Sequence, residues 1–219
     1  MFIIEPIKYS LYLGGSTILF SLLLDNTICK KTTMNYWKTN PELYMQGLMA
    51  NYINLIFLSP VNYTIAYNNF LNTEIHEVQY TKLMVILLIH NFLYYCFHYG
   101  MHKNKILKKF HEFHHKFNIT TSTSGNAVSI NEFLFAYVSP FIVGSILTYP
   151  TRETFDVSIL IISFLNSIIH VNEFKNLGWL SFLVSPSHHI NHHDSYEHTY
   201  SAPLLNFDYL LSYKENKND

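Results

Sequence analysis

The chain has 219 residues, 49% of them hydrophobic and 16% aromatic but only 13% charged, with a formal net charge of −1; an average soluble domain carries roughly 25% charged residues. That shortage of charge excludes an ordinary soluble surface, and the near-neutral balance argues against a nucleic-acid partner. Two cysteines, Cys29 and Cys96, supply neither a disulfide framework nor a CxxC metal motif.

In chain order, five runs without Asp, Glu, Lys or Arg span residues 9–24, 43–73, 83–97, 133–151 and 157–172. A bilayer core takes about 20 apolar residues per helix, so the second and fourth runs suffice by length and the others are marginal. None alternates with the period of two that barrel strands need, so all are predicted as helices. The first run has no basic leader or clear cleavage site and is expected to persist as a helix. No Pro/Gly/Ser linker divides the chain, which predicts one all-α membrane domain over residues 1–219, and the polar end at 214–219 is expected to fray.

The basic stretch Lys103, Lys105, Lys108, Lys109 and Lys116 lacks the aromatic interleaving of a nucleic-acid surface and reads as a cytoplasmic flank. That orientation also places Lys30, Lys31 and Lys38 in the cytoplasm, after two crossings back along the chain. The loop at 74–80, without Lys or Arg, falls on the far side. A hairpin turning near Arg152 then returns the chain to the cytoplasmic face.

The thirteen histidines carry the chemistry. His98 and His102 share a helix face at i, i+4; His111, His114 and His115 follow at i, i+3, i+4, and His189, His192 and His193 repeat that spacing, with His188 beside them and His170 closing the fifth run. Imidazole suits Fe, Zn, Cu and Ni. The clusters follow the third and fifth runs and so emerge on one face, where metal ligation would relieve the repulsion of crowded protonated rings. The isolated His76 and His90 read instead as surface or core residues. Residues 111–115 also match HExxH, so a zinc metallopeptidase built on His111, Glu112 and His115 is an alternative, although it leaves the other histidines without a task.

The segments HYGMHKNKILKKFHEFHH (residues 98–115) and SPSHHINHH (residues 185–193), with HVNEF at 170–174, Glu132 and Asp208, resemble the histidine boxes of the fatty acid hydroxylase and sterol desaturase superfamily. The resemblance covers residues 91–213; Asn91 stands where the family often has aspartate, and Ser129 where it has the histidine of HPxE. It implies membrane helix hairpins with a cytoplasmic histidine-rich helical cap. Two Fe ions would be held by His98, His102, His111, His114, His115, His170, His189, His192 and His193. It further implies O2 as co-substrate, electrons from cytochrome b5 or a similar carrier, and hydroxylation or desaturation of a sterol or fatty acyl lipid in the endoplasmic reticulum. A non-catalytic metal-binding membrane protein is the remaining alternative. The aromatic run Phe92, Tyr94, Tyr95, Phe97 and Tyr99 could line a lipid pocket, or equally an interfacial belt.

Overall fold

The computed structural model describes residues 4–196 and 199–212, so the polar end at 214–219 and the last residue of the 91–213 region lie outside the described residues. The described chain is helical, with only isolated bridges at Asn72–Thr151 and Leu183–Leu205. The first run becomes α1 (Ile4–Asn26), followed by a short amphipathic α2 (Lys30–Thr39). The second run folds as α3 (Pro41–Tyr52) and α4 (Ser59–Phe70), joined by a π-helical turn over Ile53–Leu58. Asn40 caps α3 by accepting from the Leu43 N–H at 3.3 Å, and Pro41 sits in the first turn, where its missing N–H costs nothing.

The third run lies within α5 (Tyr80–Lys103), and α6 (Lys105–His111) follows at once. Asn104 makes that corner: its side chain accepts from the N–H groups of Ile106 and Leu107 at 2.8 and 3.3 Å. The fourth run forms α7 (Ile130–Glu132), a second π-helical turn (Phe133–Val138) and α8 (Ser139–Thr148), and the fifth becomes α9 (Arg152–Ile169). After an irregular stretch come α10 (Pro186–Ser195) and α11 (Phe207–Ser212).

Among the described residues, three helices are long and apolar enough to cross a membrane: Ile4–Asn26, Tyr80–Lys103 and Ile130–Thr148. The second run, expected to suffice alone, is not among them although it is helical over residues 43–70. It carries Asn51 and Asn54, which it buries inside the protein.

Both π turns run straight into Ser-Pro, at Ser59–Pro60 and Ser139–Pro140. Proline donates no hydrogen bond and crowds the preceding turn, and one extra residue per turn accommodates it. α1 packs directly on the first π turn: a Cβ on Gly14 would clash with the Leu55 carbonyl oxygen, so only glycine allows that approach.

The interior is organised around a buried segment without α-helix, residues 120–128, that contains a 3-10 turn at Ser122–Asn126. Irregular backbone within an apolar helix bundle persists only if protein groups satisfy its hydrogen bonds. Single polar side chains on otherwise apolar helices do this. Asp25 accepts from the N–H of Ser122 at 2.7 Å and from the Thr123 hydroxyl and N–H, as well as from Tyr44. Asn51 donates to Thr123 O at 2.9 Å, Asn54 to Val128 O at 3.0 Å and Asn166 to Gly125 O at 2.6 Å. The far end of the bundle is closed where Asn72 pairs with Pro150 and Arg152, and where the Thr151 hydroxyl donates to Glu77 O.

Candidate metal centre

The nine predicted histidine ligands come together in two sets, but not along the lines of the sequence clusters. One set is His98, His102, His111, His115 and His192; the other is His114, His170, His189 and His193. The triplet at 111–115 was expected to present one helix face. α6 ends at His111 and a 3-10 turn begins at His114; His111 and His115 face the first set and His114 the second. α10 remains a regular helix and straddles the two, with His192 on one side and His189 and His193 on the other. Ser185 starts it, accepting from the His188 N–H at 3.2 Å.

The outer ring nitrogens fix how four of these imidazoles point. His98 Nδ1 lies 2.7 Å from Tyr200 O, His114 Nδ1 3.4 Å from Ala127 O and His170 Nδ1 2.6 Å from Asn166 O. A carbonyl only accepts, so each Nδ1 carries the proton and each Nε2 presents a lone pair. His111 Nδ1 lies 2.7 Å from Oε1 of Glu132, a fully buried carboxylate that serves the same purpose. Glu132 is itself placed by Ser129, whose hydroxyl accepts from the Glu132 N–H and donates to Phe110 O at 2.7 Å.

Those inward Nε2 atoms crowd together. His98 and His111 approach to 2.8 Å, His102 lies 3.3 Å from His98, and His115 lies 3.2 Å from His102. In the second set His170 stands 3.3 Å from His114, 2.8 Å from His189 and 3.3 Å from His193. Where both Nδ1 atoms are protonated, as in His98 with His111, two lone pairs face each other and repel. A cation between them reverses the sign, and adjacent imidazoles at metal–nitrogen distances of about 2.1 Å lie about 3 Å apart. The donor set therefore fits a metal in each group. Burial, reinforced by neighbouring imidazoles, holds His111, His114, His115, His189 and His193 below the ordinary histidine range, which keeps them neutral and able to ligate.

The first set is not sealed. His102 is only partly buried, and a solvent-open recess lined by Lys103, Lys108, Glu112, Tyr196 and Tyr200 reaches His102, His111 and His115. Tyr196 lies over the His115 ring at 4.6 Å and donates to His115 O at 3.1 Å. On the membrane side an apolar cavity lies between α4, α8 and α9, bounded by Asn126 and Asn166 at one end. The predicted aromatic run does not line it. Tyr94 is buried against His98, Phe97 packs on Phe135, and Phe92 and Tyr99 are exposed.

Of the remaining histidines, His76 is exposed beside Glu153 at 3.1 Å, and His90 is buried on α5 with neither ring nitrogen hydrogen-bonded. Sequence reasoning missed the three carbonyls that orient His98, His114 and His170, since a backbone acceptor leaves no residue-type signal. Asn91 uses its Oδ1 to accept from Leu204 and Leu205 N–H at 3.0 and 3.3 Å, so an amide suffices to tie α5 to the segment after Tyr200. Asp208 anchors the same segment through the Ser201 N–H and hydroxyl at 2.8 and 2.7 Å.

Helices able to cross a membrane, with nine imidazoles gathered into two metal-competent sets, define a membrane protein built to hold metal. The chain belongs to the fatty acid hydroxylase family, a family of metal-dependent oxygenases, through a match over residues 83–213. It is also similar to the very-long-chain aldehyde decarbonylase GL1-5 of Oryza sativa subsp. indica, with 24% identity over 150 residues, covering 62% of this chain and 24% of that protein. The chain thus spans about a quarter of the length of that relative. No solved structure matches.

Proposed function

We propose that this protein is an integral membrane di-iron oxygenase that hydroxylates or desaturates a sterol or fatty acyl lipid. It would act in the endoplasmic reticulum with its histidines toward the cytoplasm, and take electrons from cytochrome b5 or a similar carrier. The observation that carries the reading is the pairing of inward Nε2 lone pairs with outward Nδ1 atoms held by carbonyls or a carboxylate. His98, His102, His111, His115 and His192 would hold one iron, and His114, His170, His189 and His193 the other. With O2 and external electrons, bound iron supplies an oxidant able to take hydrogen from an unactivated C–H bond, which no side chain can do.

The chain's own residues do the rest. Glu132 and the three carbonyls lock the tautomers of His98, His111, His114 and His170 and raise their basicity as ligands. Buried walls keep bulk water from the second set, and the basic recess at Lys103 and Lys108 gives an acidic electron carrier a place to approach the first. A zinc peptidase is less well supported. Its zinc would take three ligands and an open position, whereas His111 and His115 share their set with three further imidazoles, and Glu112 is exposed outside both sets.

The test is product analysis with iron-loaded protein, a chemical reductant, 18O2 and deuterated acyl and sterol lipids. Hydroxylation places 18O in the lipid with loss of one deuterium, and desaturation removes two without adding 18O. Peptide hydrolysis without either change would overturn the reading.

A further inference from the structure

We propose that the groove between α1 and α3 holds one anionic phospholipid of the surrounding leaflet, with its phosphate at the lysines of α2 and an acyl chain between the two helices. This lipid braces the segment that orients the second histidine set. The site uses no residue of either histidine set and stands whether or not the oxygenase reading holds.

Ile18 and Ser21 of α1 form one wall of the groove, and Met45, Leu48, Met49 and Tyr52 of α3 form the other. Measured along the helices, Ser21 and Ile18 lie roughly 8 and 12 Å before the end of α1, and Met45 to Tyr52 roughly 6 to 17 Å beyond the start of α3. Half of a bilayer core is about 15 Å deep, so the groove runs from beneath the headgroups to about the midplane, the reach of one acyl chain. Met45, Met49 and Tyr52 are exposed, which leaves the groove open sideways, and flexible thioether side chains adapt to a flexible chain.

α2 connects those two helices and therefore crosses the top of the groove, with Lys30 and Lys31 where α1 ends and Lys38 where α3 begins. At 3.6 residues per turn Lys30, Lys31, Met34, Trp37 and Lys38 fall within about 120° of arc, and all five are exposed. The opposite face is fixed to the protein, where Tyr36 meets Tyr44 at 6.2 Å and Phe117 at 6.3 Å. Lysines interleaved with Trp and Met on one face mark a helix that lies in the headgroup layer. The acidic groups near α2 are engaged elsewhere. Glu173 accepts from the Thr32 hydroxyl, Asp25 is buried under Ser122, Thr123 and Tyr44, and Glu42 lines the recess at His115 beside Lys108 and Lys116. Among the described residues none of the three lysines is in an ion pair. Three uncompensated positive charges above an apolar groove match a headgroup of net negative charge, whereas a zwitterionic headgroup brings its own cation to the same place and gains less.

The floor of the groove is polar. Asn51 and Thr123 line it, joined by the 2.9 Å bond from Asn51 Nδ2 to Thr123 O, and Ser21 reaches Ser167, three residues before His170, at 2.9 Å. Thr123 belongs to the segment 120–128, whose Ala127 carbonyl takes the His114 Nδ1 proton and whose Gly125 carbonyl accepts from Asn166 at 2.6 Å. A chain filling the groove removes the open space behind this segment and so slows its opening.

The test measures lipid retention by the purified full-length chain in detergent, by native mass spectrometry with added dioleoyl phosphatidylglycerol or dioleoyl phosphatidylcholine. The two share their acyl chains and differ in headgroup charge. One phosphatidylglycerol per chain is expected to be retained at a concentration at least about fivefold lower than phosphatidylcholine. Lys30→Gln, Lys31→Gln and Lys38→Gln together should remove that preference, whereas Lys105→Gln with Lys109→Gln, at exposed positions of α6, should keep it. Met49→Trp, at an exposed position, should narrow the groove and weaken retention of both lipids. Backbone hydrogen exchange over residues 120–128 should slow when phosphatidylglycerol is added to the native sequence and stay unchanged in the triple lysine variant, with thermal melts as the control for folding. Equal retention of the two lipids, or a preference for phosphatidylglycerol that survives the three lysine substitutions, would overturn the site. Retention without slower exchange over 120–128 would overturn the bracing role.

Discussion

Replacing Glu132 with glutamine isolates the role of one buried charge. The carboxylate sits 2.7 Å from His111 Nδ1 and is fully buried, while its second oxygen has no hydrogen-bond partner. Glutamine keeps a carbonyl oxygen to accept from Nδ1 and nearly the same volume, so the imidazole stays in place but loses the negative charge that makes Nε2 a stronger donor. Changes at such carboxylate–histidine pairs lower metal affinity about ten- to a hundredfold, or about 1.4–2.7 kcal/mol. The loss should fall on the first set alone, because the ring that Glu132 holds, His111, belongs to it. The assay is competitive metal titration of apo-protein against a chelator of known affinity, resolving two binding events. Unchanged affinity at both events, or an equal loss at each, would refute the reasoning. Apo-protein thermal stability serves as the control and should not fall, since burying an amide costs less than burying a carboxylate.

Three further outcomes follow from the same geometry. Gly125→Ala should weaken the second metal by at least tenfold and leave the first intact, because the new Cβ would lie 2.9 Å from both Asn166 O and His170 Nδ1; two-event titration reads it. Asp25→Leu should destabilise the protein by about 3–5 kcal/mol in detergent denaturation, because it strands the donors of Ser122, Thr123 and Tyr44 in the interior. Apo-protein should lose stability as pH falls below 6.5, where the unfolded chain takes up protons that the depressed histidines His111, His114, His115, His189 and His193 refuse. Each adds a slope of up to about 1.4 kcal/mol per pH unit, with full stability above that range and loss on the way down toward the folded-state values. Thermal melts between pH 7.5 and 5.5 test the sign, and a flat profile would contradict it.

The helices and the ligands were legible for different reasons. Apolar runs without charge force helix in a bilayer, so α1, α5 and α9 follow from composition. Histidines at i, i+4 on α5 and α10 follow from helical periodicity. The partition into two sets was not legible: in each triplet the i+3 histidine leaves the i, i+4 pair, across the 3-10 turn at His114 and along the unbroken α10 alike, and spacing does not say which rings share a metal. The buried segment 120–128 was missed as well. Its only traces are lone polar residues in apolar helices, Asp25, Asn51, Asn54 and Asn166, each of which looks tolerable alone and acquires meaning once all meet the same loop. The Ser-Pro pairs at 59–60 and 139–140 mark where helices strain, yet only packing shows that both strains face one cavity.

The most direct test of the central claim is metal analysis of the detergent-purified chain, expressed with iron and zinc both available, together with oxygen uptake on adding a reductant. Two irons per chain with reductant-dependent uptake is the expected result. One zinc without uptake, or no metal at all, would contradict the account.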